Sequence, residues 1–149
     1  MLYKLKMPKY KFLEDVAIAD IAFEAYGKSW NELFENCAEA IFHLTVDLKT
    51  LKPRIKKEIK LDNEKIDNLL YDFLSEILYI KDADALIFCK SKVVIKKRNV
   101  RFYLKAFFNG DKINSKTQTL ENDIKAVTMH MFKVEKNKSH FKATVVVDI

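Results

Sequence analysis

From Trp30 to Thr45 the apolar residues recur every three or four positions. Trp30, Leu33, Phe34, Cys37, Ala38, Ile41, Leu44 and Thr45 form one broad stripe, the pattern of an amphipathic helix. Ser29, with Glu32 three residues on, makes a capping box in which each side chain serves a backbone donor that a helix start leaves orphaned. A second stripe, Ile66, Leu69, Leu70, Phe73, Leu74, Ile77 and Leu78, predicts another helix, with Asp62 or Asn63 as its N-cap. Asp67 and Asp72 fall outside that stripe.

Elsewhere the period is two. "YKFLED" and "AIADIAFEAYG" predict an early pair of strands, and "PRIKKEIKL" a strand between the helices, with Ile55, Ile59 and Leu61 on one face and Lys57 as the exception. "LIFCKSKVVIKKR" and "VRFYLKAFF" alternate, the second putting Phe102, Leu104, Ala106 and Phe108 together; their turn falls around Arg98 and Asn99. "IKAVTMHMFKVEK" and "SHFKATVVVDI" close the sequence around a turn at Asn137 and Lys138. This order predicts an α+β fold, two helices packed on one side of a mostly antiparallel sheet. A length of 149 residues suits one core, and no repeat or low-complexity linker marks a boundary, so one domain over 1–149 is expected.

Composition narrows the classes. Apolar residues at 49% and charged residues at 32% describe a folded protein. No apolar run is long enough to cross a bilayer and the N-terminus lacks a secretory core, so a cytoplasmic protein with no membrane partner is expected. Cys37 and Cys89 lie in apolar-periodic segments without metal-ligand spacing and read as buried, reduced and structural. The 27 Lys and Arg against 21 Asp and Glu leave a charge of +6, which would steer the protein towards RNA or an acidic protein. The densest basic stretch, "KVVIKKRNVR" (Lys92 to Arg101), reads as two edges of a hairpin, a solvated face first and a nucleic-acid contact second.

Enzyme chemistry finds little support. Gly27 and Gly110 stand alone, so no phosphate loop forms, and there is no HExxH and no paired CxxC. His43, His130 and His140 lack zinc spacing, and no nucleophile has a base at a defensible distance in sequence.

Two carboxylates occupy unusual places. Strand parity puts Asp20 with Ile18 and Ala22, inside an apolar segment, and Asp148 with Val146 and Thr144, at the end of "VVVDI". Among buried neighbours a carboxylate is costly unless paired, hydrogen-bonded or bound to a cation. Singly, each reads as an exposed strand-end charge. Together with a main-chain or terminal oxygen they would form a hard oxygen nest suited to calcium or magnesium. "DIKAVTMHMF" adds Lys125, Thr128 and His130. If that strand is regular, His130 shares parity with Ile124, Ala126, Phe132 and Val134. It is then either a core-edge histidine satisfied by a neighbour or, with Lys125, a polar group beside the carboxylates or against a partner.

The succession "ADI" (Ala19 to Ile21), "SWNELFENCAEAIF" (Ser29 to Phe42), "LLYDFLSEILYIKDAD" (Leu69 to Asp84), "IKAVTMHMFKVE" (Ile124 to Glu135) and the closing "VVVDI" resembles the archeases, over nearly the whole chain. That resemblance implies a protein that is not itself an enzyme but assists a GTP-dependent, tRNA-splicing RNA ligase. Such a protein promotes ligase guanylylation and multiple turnover in tRNA splicing or RNA repair. It further implies a divalent cation, calcium with magnesium or another ion as the alternative, at Asp20, Asp148 and the main-chain oxygen of Ile149. The implied partner is the RNA ligase; direct contact with RNA stays open. Where archeases usually read His-Thr-Ala-Asp-Ile, this chain has Ala17-Ile18-Ala19-Asp20-Ile21, and Ala22 and Met129 replace a usual glycine and tyrosine. The alternative class is a chaperone-like or RNA-binding module acting through its basic surface, for which RNA affinity would fall steeply with salt.

Overall fold

The structure, a computed structural model, describes residues 7–14 and 20–149. Asp15 of "YKFLED", Ala17 to Ala19 of the second strand segment and the first six residues lie outside the described residues. The elements follow as β1 (Tyr10–Leu13), β2 (Asp20–Gly27), α1 (Trp30–Thr45), a short 3-10 turn (Leu48–Thr50), β3 (Ile55–Asn63), α2 (Ile66–Asp84), β4 (Leu86–Arg98), β5 (Arg101–Lys112), β6 (Ala126–Lys136) and β7 (Phe141–Asp148). The α+β class is as expected, and every strand pairing is antiparallel. The strands nevertheless divide between two sheets, ordered β1-β2-β7-β6 and β3-β5-β4, instead of lying in one.

The helices join those sheets. α1 lies against β2 and β4, and α2 against β6 and β3, so each helix bridges both. One continuous core results, drawing Phe23, Ala143 and Val145 from the first sheet and Ile59, Leu104 and Phe108 from the second. Its centre is aromatic: Phe108 stacks on Phe88 with centroids 4.7 Å apart and faces Phe73 at 5.8 Å. The predicted stripe of α1 is the buried one, and its start is capped where Ser29 Oγ accepts from Glu32 N at 3.1 Å. β4 is an edge strand, and α1 covers part of that edge: Val93 N donates to Glu35 and Ile95 N to Asn31, both at 2.8 Å.

Three expectations change. Asp62 and Asn63 end β3 instead of capping α2, whose N-cap position is Lys65. Asp62 pairs with Arg101 across the strands, and Asn63 reaches Asp72 at 3.2 Å, so their polar groups serve the sheet. β4 carries a bulge between Phe88 and Lys90, which places Cys89 half-buried while Cys37 is fully buried; both thiols are free. The third change is in β6, where the register jumps between Thr128 and Lys133, so that four residues, Met129 to Phe132, oppose one. Ala126 faces outward beside Asp148, whereas Val134 pairs with inward-facing Ala143. An insertion of odd length is what flips that parity, and Met131 adopts a left-handed φ of 57° within it.

Lys57, the exception in β3, lies 4.0 Å from Asp84 at the end of α2. Gly110 sits across from the β4 bulge, where a methyl group would collide with the Ile87 carbonyl oxygen.

Candidate functional site

The antiparallel register of β2 and β7 sets Asp20 directly across from Asp148. Side chains of directly opposed residues project from the same sheet face with Cβ atoms roughly 5 Å apart. Here that face points away from the helices. Ile21 and Val147, the next pair inward, turn the other way into the core. Asp148 is half-buried, as is Asp20, while Ile149 packs its side chain back against the core. The alternation of Val147 inward, Asp148 outward and Ile149 inward therefore fixes the main chain of Ile149 beside the two carboxylates.

A long connection from β5 to β6 braces this end of the molecule. Glu121 N donates to Thr45 O, and Asn122 to Leu44 O through both its backbone and its side-chain nitrogen, all at 2.9 Å. These bonds satisfy carbonyls that the last turn of α1 leaves free. Further along, the buried Lys81 of α2 donates to Asp123 at 2.5 Å and to Ile124 O at 2.9 Å. The Lys81 ammonium, with help from Lys125, holds the Asp123 carboxyl below the usual aspartate range. The segment then delivers Lys125 N to Asp148 O at 2.8 Å, and Ala126 takes its place opposite Asp148.

Of the sequence-predicted residues, Asp20, Asp148 and Ile149 are thus brought together, and Lys125 joins them through its backbone. His130 is not. It lies exposed in the β6 bulge, past Thr128, whose hydroxyl donates to Val146 O at 3.0 Å. A regular strand would put His130 on the carboxylate face opposite Thr144, and the bulge removes that pairing.

Like charges directly opposed on a sheet are destabilising unless something neutralises them. Among the described residues, neither Asp20 nor Asp148 has a cationic side chain within ion-pair distance. Nor do the described residues gather three or more His, Cys, Asp or Glu side chains for a metal. A cation at this end would therefore rest on two carboxylates, main-chain oxygen and water, an all-oxygen set that fits a hard divalent ion and not zinc or copper.

A family model described as the archease protein family matches residues 10–149. The protein archease of Methanosarcina mazei is 37% identical over 142 residues, which is 95% of this chain and 96% of that protein. The one from Sulfurisphaera tokodaii is 34% identical over 143 residues, 96% of this chain and 100% of that protein. This chain belongs to the archease family. The solution structure of protein 1598 from Methanobacterium thermoautotrophicum superimposes with a TM-score of 0.82 at 31% identity, covering 96% of this chain and 100% of that one. A crystal structure from Thermotoga maritima, described as an archease and possible chaperone, gives a TM-score of 0.62 at 20% identity over 99% of this chain and 100% of that one, a likeness of fold.

A cleft of this archease lies elsewhere. It encloses about 650 Å³ around Gly27, Asn36, Cys89 and His140, at the other end of β2 from Asp20. Three of its polar side chains are engaged in holding the fold: Glu35 accepts from β4, Asn36 donates to Tyr26 O at 2.6 Å, and Glu39 pairs with Lys9 at 3.2 Å. Burial pushes the Cys89 thiol up, away from the thiolate a nucleophile needs. No helix among the described residues is long and apolar enough to cross a membrane.

Proposed function

We propose that this archease is a non-enzymatic activator of a GTP-dependent, tRNA-splicing RNA ligase, and that it acts through the Asp20–Asp148 end of its four-stranded sheet. The observation that carries this reading is the cross-strand register of two carboxylates that no cationic side chain among the described residues neutralises. In this reading Asp20, Asp148 and the main-chain oxygen of Ile149 hold a divalent cation, calcium or, alternatively, magnesium. Bound there, the ion supplies concentrated positive charge against oxygen ligands of a partner. The chain's own residues do the positioning. The sheet register fixes the carboxylates, the Ile149 side chain pins the end of β7 to the core, and the Lys125 backbone ties the β5–β6 connection to Asp148. The partner would be the ligase itself, in its unguanylylated state.

The experiment is a guanylylation assay with radiolabelled GTP and the RNA ligase of the same organism, with this archease at substoichiometric ratios. The expected result is faster guanylylation and more than one ligation per ligase molecule. No stimulation at any ratio overturns the proposal.

A further inference from the structure

The second sheet turns a different surface outward. Parity on β5 sends Leu104, Ala106 and Phe108 into the core and leaves Arg101, Tyr103, Lys105 and Phe107 on the solvent face. Tyr103 and Phe107 are each 37% exposed. They lie on the central strand of the sheet, roughly 13 Å apart along it. Their cross-strand partners are basic on one side and acidic on the other: Lys96 and Lys92 on β4 face Tyr103 and Phe107, and Asp62 and Glu58 face them on β3. The end near Ile87 is closed by Val46 and Leu51, and the rest of the face is uncovered by any described element. A depression of about 490 Å³ opens beside Tyr103, lined by Lys60, Lys96, Arg98 and Lys105 together with Asp62.

The two edges of this face differ. Towards β3 two of the cations are neutralised: Lys105 pairs with Glu58 at 3.3 Å and Arg101 with Asp62 at 2.6 Å. Towards β4, none of Lys90, Lys92, Lys96 or Arg98 has a carboxylate partner among the described residues. The Arg98 guanidinium instead stacks over the Tyr103 ring at 4.7 Å, and Lys105 lies over Phe107 at 5.3 Å. A solvated face has no use for two half-exposed rings beside a row of cations without carboxylate partners among the described residues. A single nucleic-acid strand does: its bases stack on aromatic rings and guanidinium planes while its phosphates lie against lysines. A duplex, with its bases already stacked, gains only from the charges.

We infer that the outward face of β3-β5-β4 is a docking surface for single-stranded RNA, with Tyr103 and Phe107 as base-stacking rings and the β4 edge as the phosphate track. That the strand is RNA and not DNA rests on the ligase reading above; the stacking and charge argument does not. The face lies on a different sheet from Asp20 and Asp148, so the two sites are separable.

The test is fluorescence anisotropy with a labelled oligouridine, titrated at several salt concentrations, using the full chain. Three results are expected. Affinity falls linearly on a log–log plot against salt. Exchanging Lys92, Lys96 and Arg98 for glutamine lowers the slope by about two. Tyr103→Ala with Phe107→Ala weakens binding by at least about fivefold per ring while leaving the slope unchanged. Tyr103→Phe with Phe107→Tyr restores affinity, which separates stacking from packing should the alanine protein melt early. Absence of binding at low salt, parental affinity in a folded alanine variant, or equally tight binding of duplex RNA would each overturn the inference. The Asp20→Ala, Asp148→Ala protein should bind oligouridine at least as well as the parent, so failure here leaves the ligase reading standing, and the reverse.

Discussion

Two sheets share one pair of helices and one core, yet they present opposite chemistry to solvent. The four-stranded sheet offers a pair of carboxylates at a strand end, held by register and by the packing of Ile149. The three-stranded sheet offers rings and lysines along the middle of a strand, held by parity alone. In both cases the inward residues are hydrophobes that build the core, and the outward faces carry the charges and, on β5, the exposed rings. Charges that a fold uses for itself come in short-range pairs, as with Lys81 and Asp123 or Lys105 and Glu58. At Asp20, at Asp148 and along β4 that pairing is missing among the described residues, and those are the places to which function is assigned here.

The strongest way to break this comparison is to remove the part both regions share. Phe108→Ala deletes the ring stacked on Phe88 at 4.7 Å and is expected to cost about 3–5 kcal/mol, measured by urea unfolding. Oligouridine affinity and ligase stimulation should then decline together; a variant that lost one and kept the other undiminished would show that the faces do not depend on a common core.

A smaller effect separates the regions. Calcium at about a hundredfold over its dissociation constant should stabilise the parent by about 2.7 kcal/mol. That raises the melting temperature by roughly 5–10 °C for a chain of this size. Asp20→Ala with Asp148→Ala should abolish the rise, whereas Tyr103→Ala with Phe107→Ala should keep it.

The smallest effect lies on the outward face of the four-stranded sheet, away from its carboxylate end. Glu24 is held below the ordinary 4.5 chiefly by the Tyr26 hydroxyl, with Lys142 and Lys11 assisting against burial. A depressed carboxylate stabilises the fold above its unfolded value and loses that contribution as pH falls through the folded one. Melting temperature should therefore dip below about pH 4.5, by an amount corresponding to about 1 kcal/mol or less, and Glu24→Gln should flatten that dip. Binding of oligouridine should not register the substitution.

Much of this was legible in the residues. The stripe from Trp30 to Thr45 gives α1 because a helix repeats its face every three to four residues, and Ser29 marks its start. Asp20 and Asp148 stand out because alternation makes a charge among apolar neighbours visible. What the alternation does not carry is which strand lies beside which, so the division into two sheets does not follow from it. Bulges also escape it: the jump between Thr128 and Lys133 reverses parity part-way along β6 and leaves His130 exposed and without a cross-strand partner. Asp62 and Asn63 suit a helix cap in isolation, but pairing with Tyr103 and Phe102 keeps them in β3. The rings on the basic face were present as the polar half of "VRFYLKAFF", and only the pairing of β5 between β3 and β4 reveals their cationic neighbours.

The central claim is that the cross-strand carboxylates are the working end of this archease. Its most direct test is ligase guanylylation by the Asp20→Ala, Asp148→Ala protein beside the parent, after circular dichroism has shown both to be folded. The account predicts that the parent stimulates and the double variant does not. Equal stimulation by the two would contradict it.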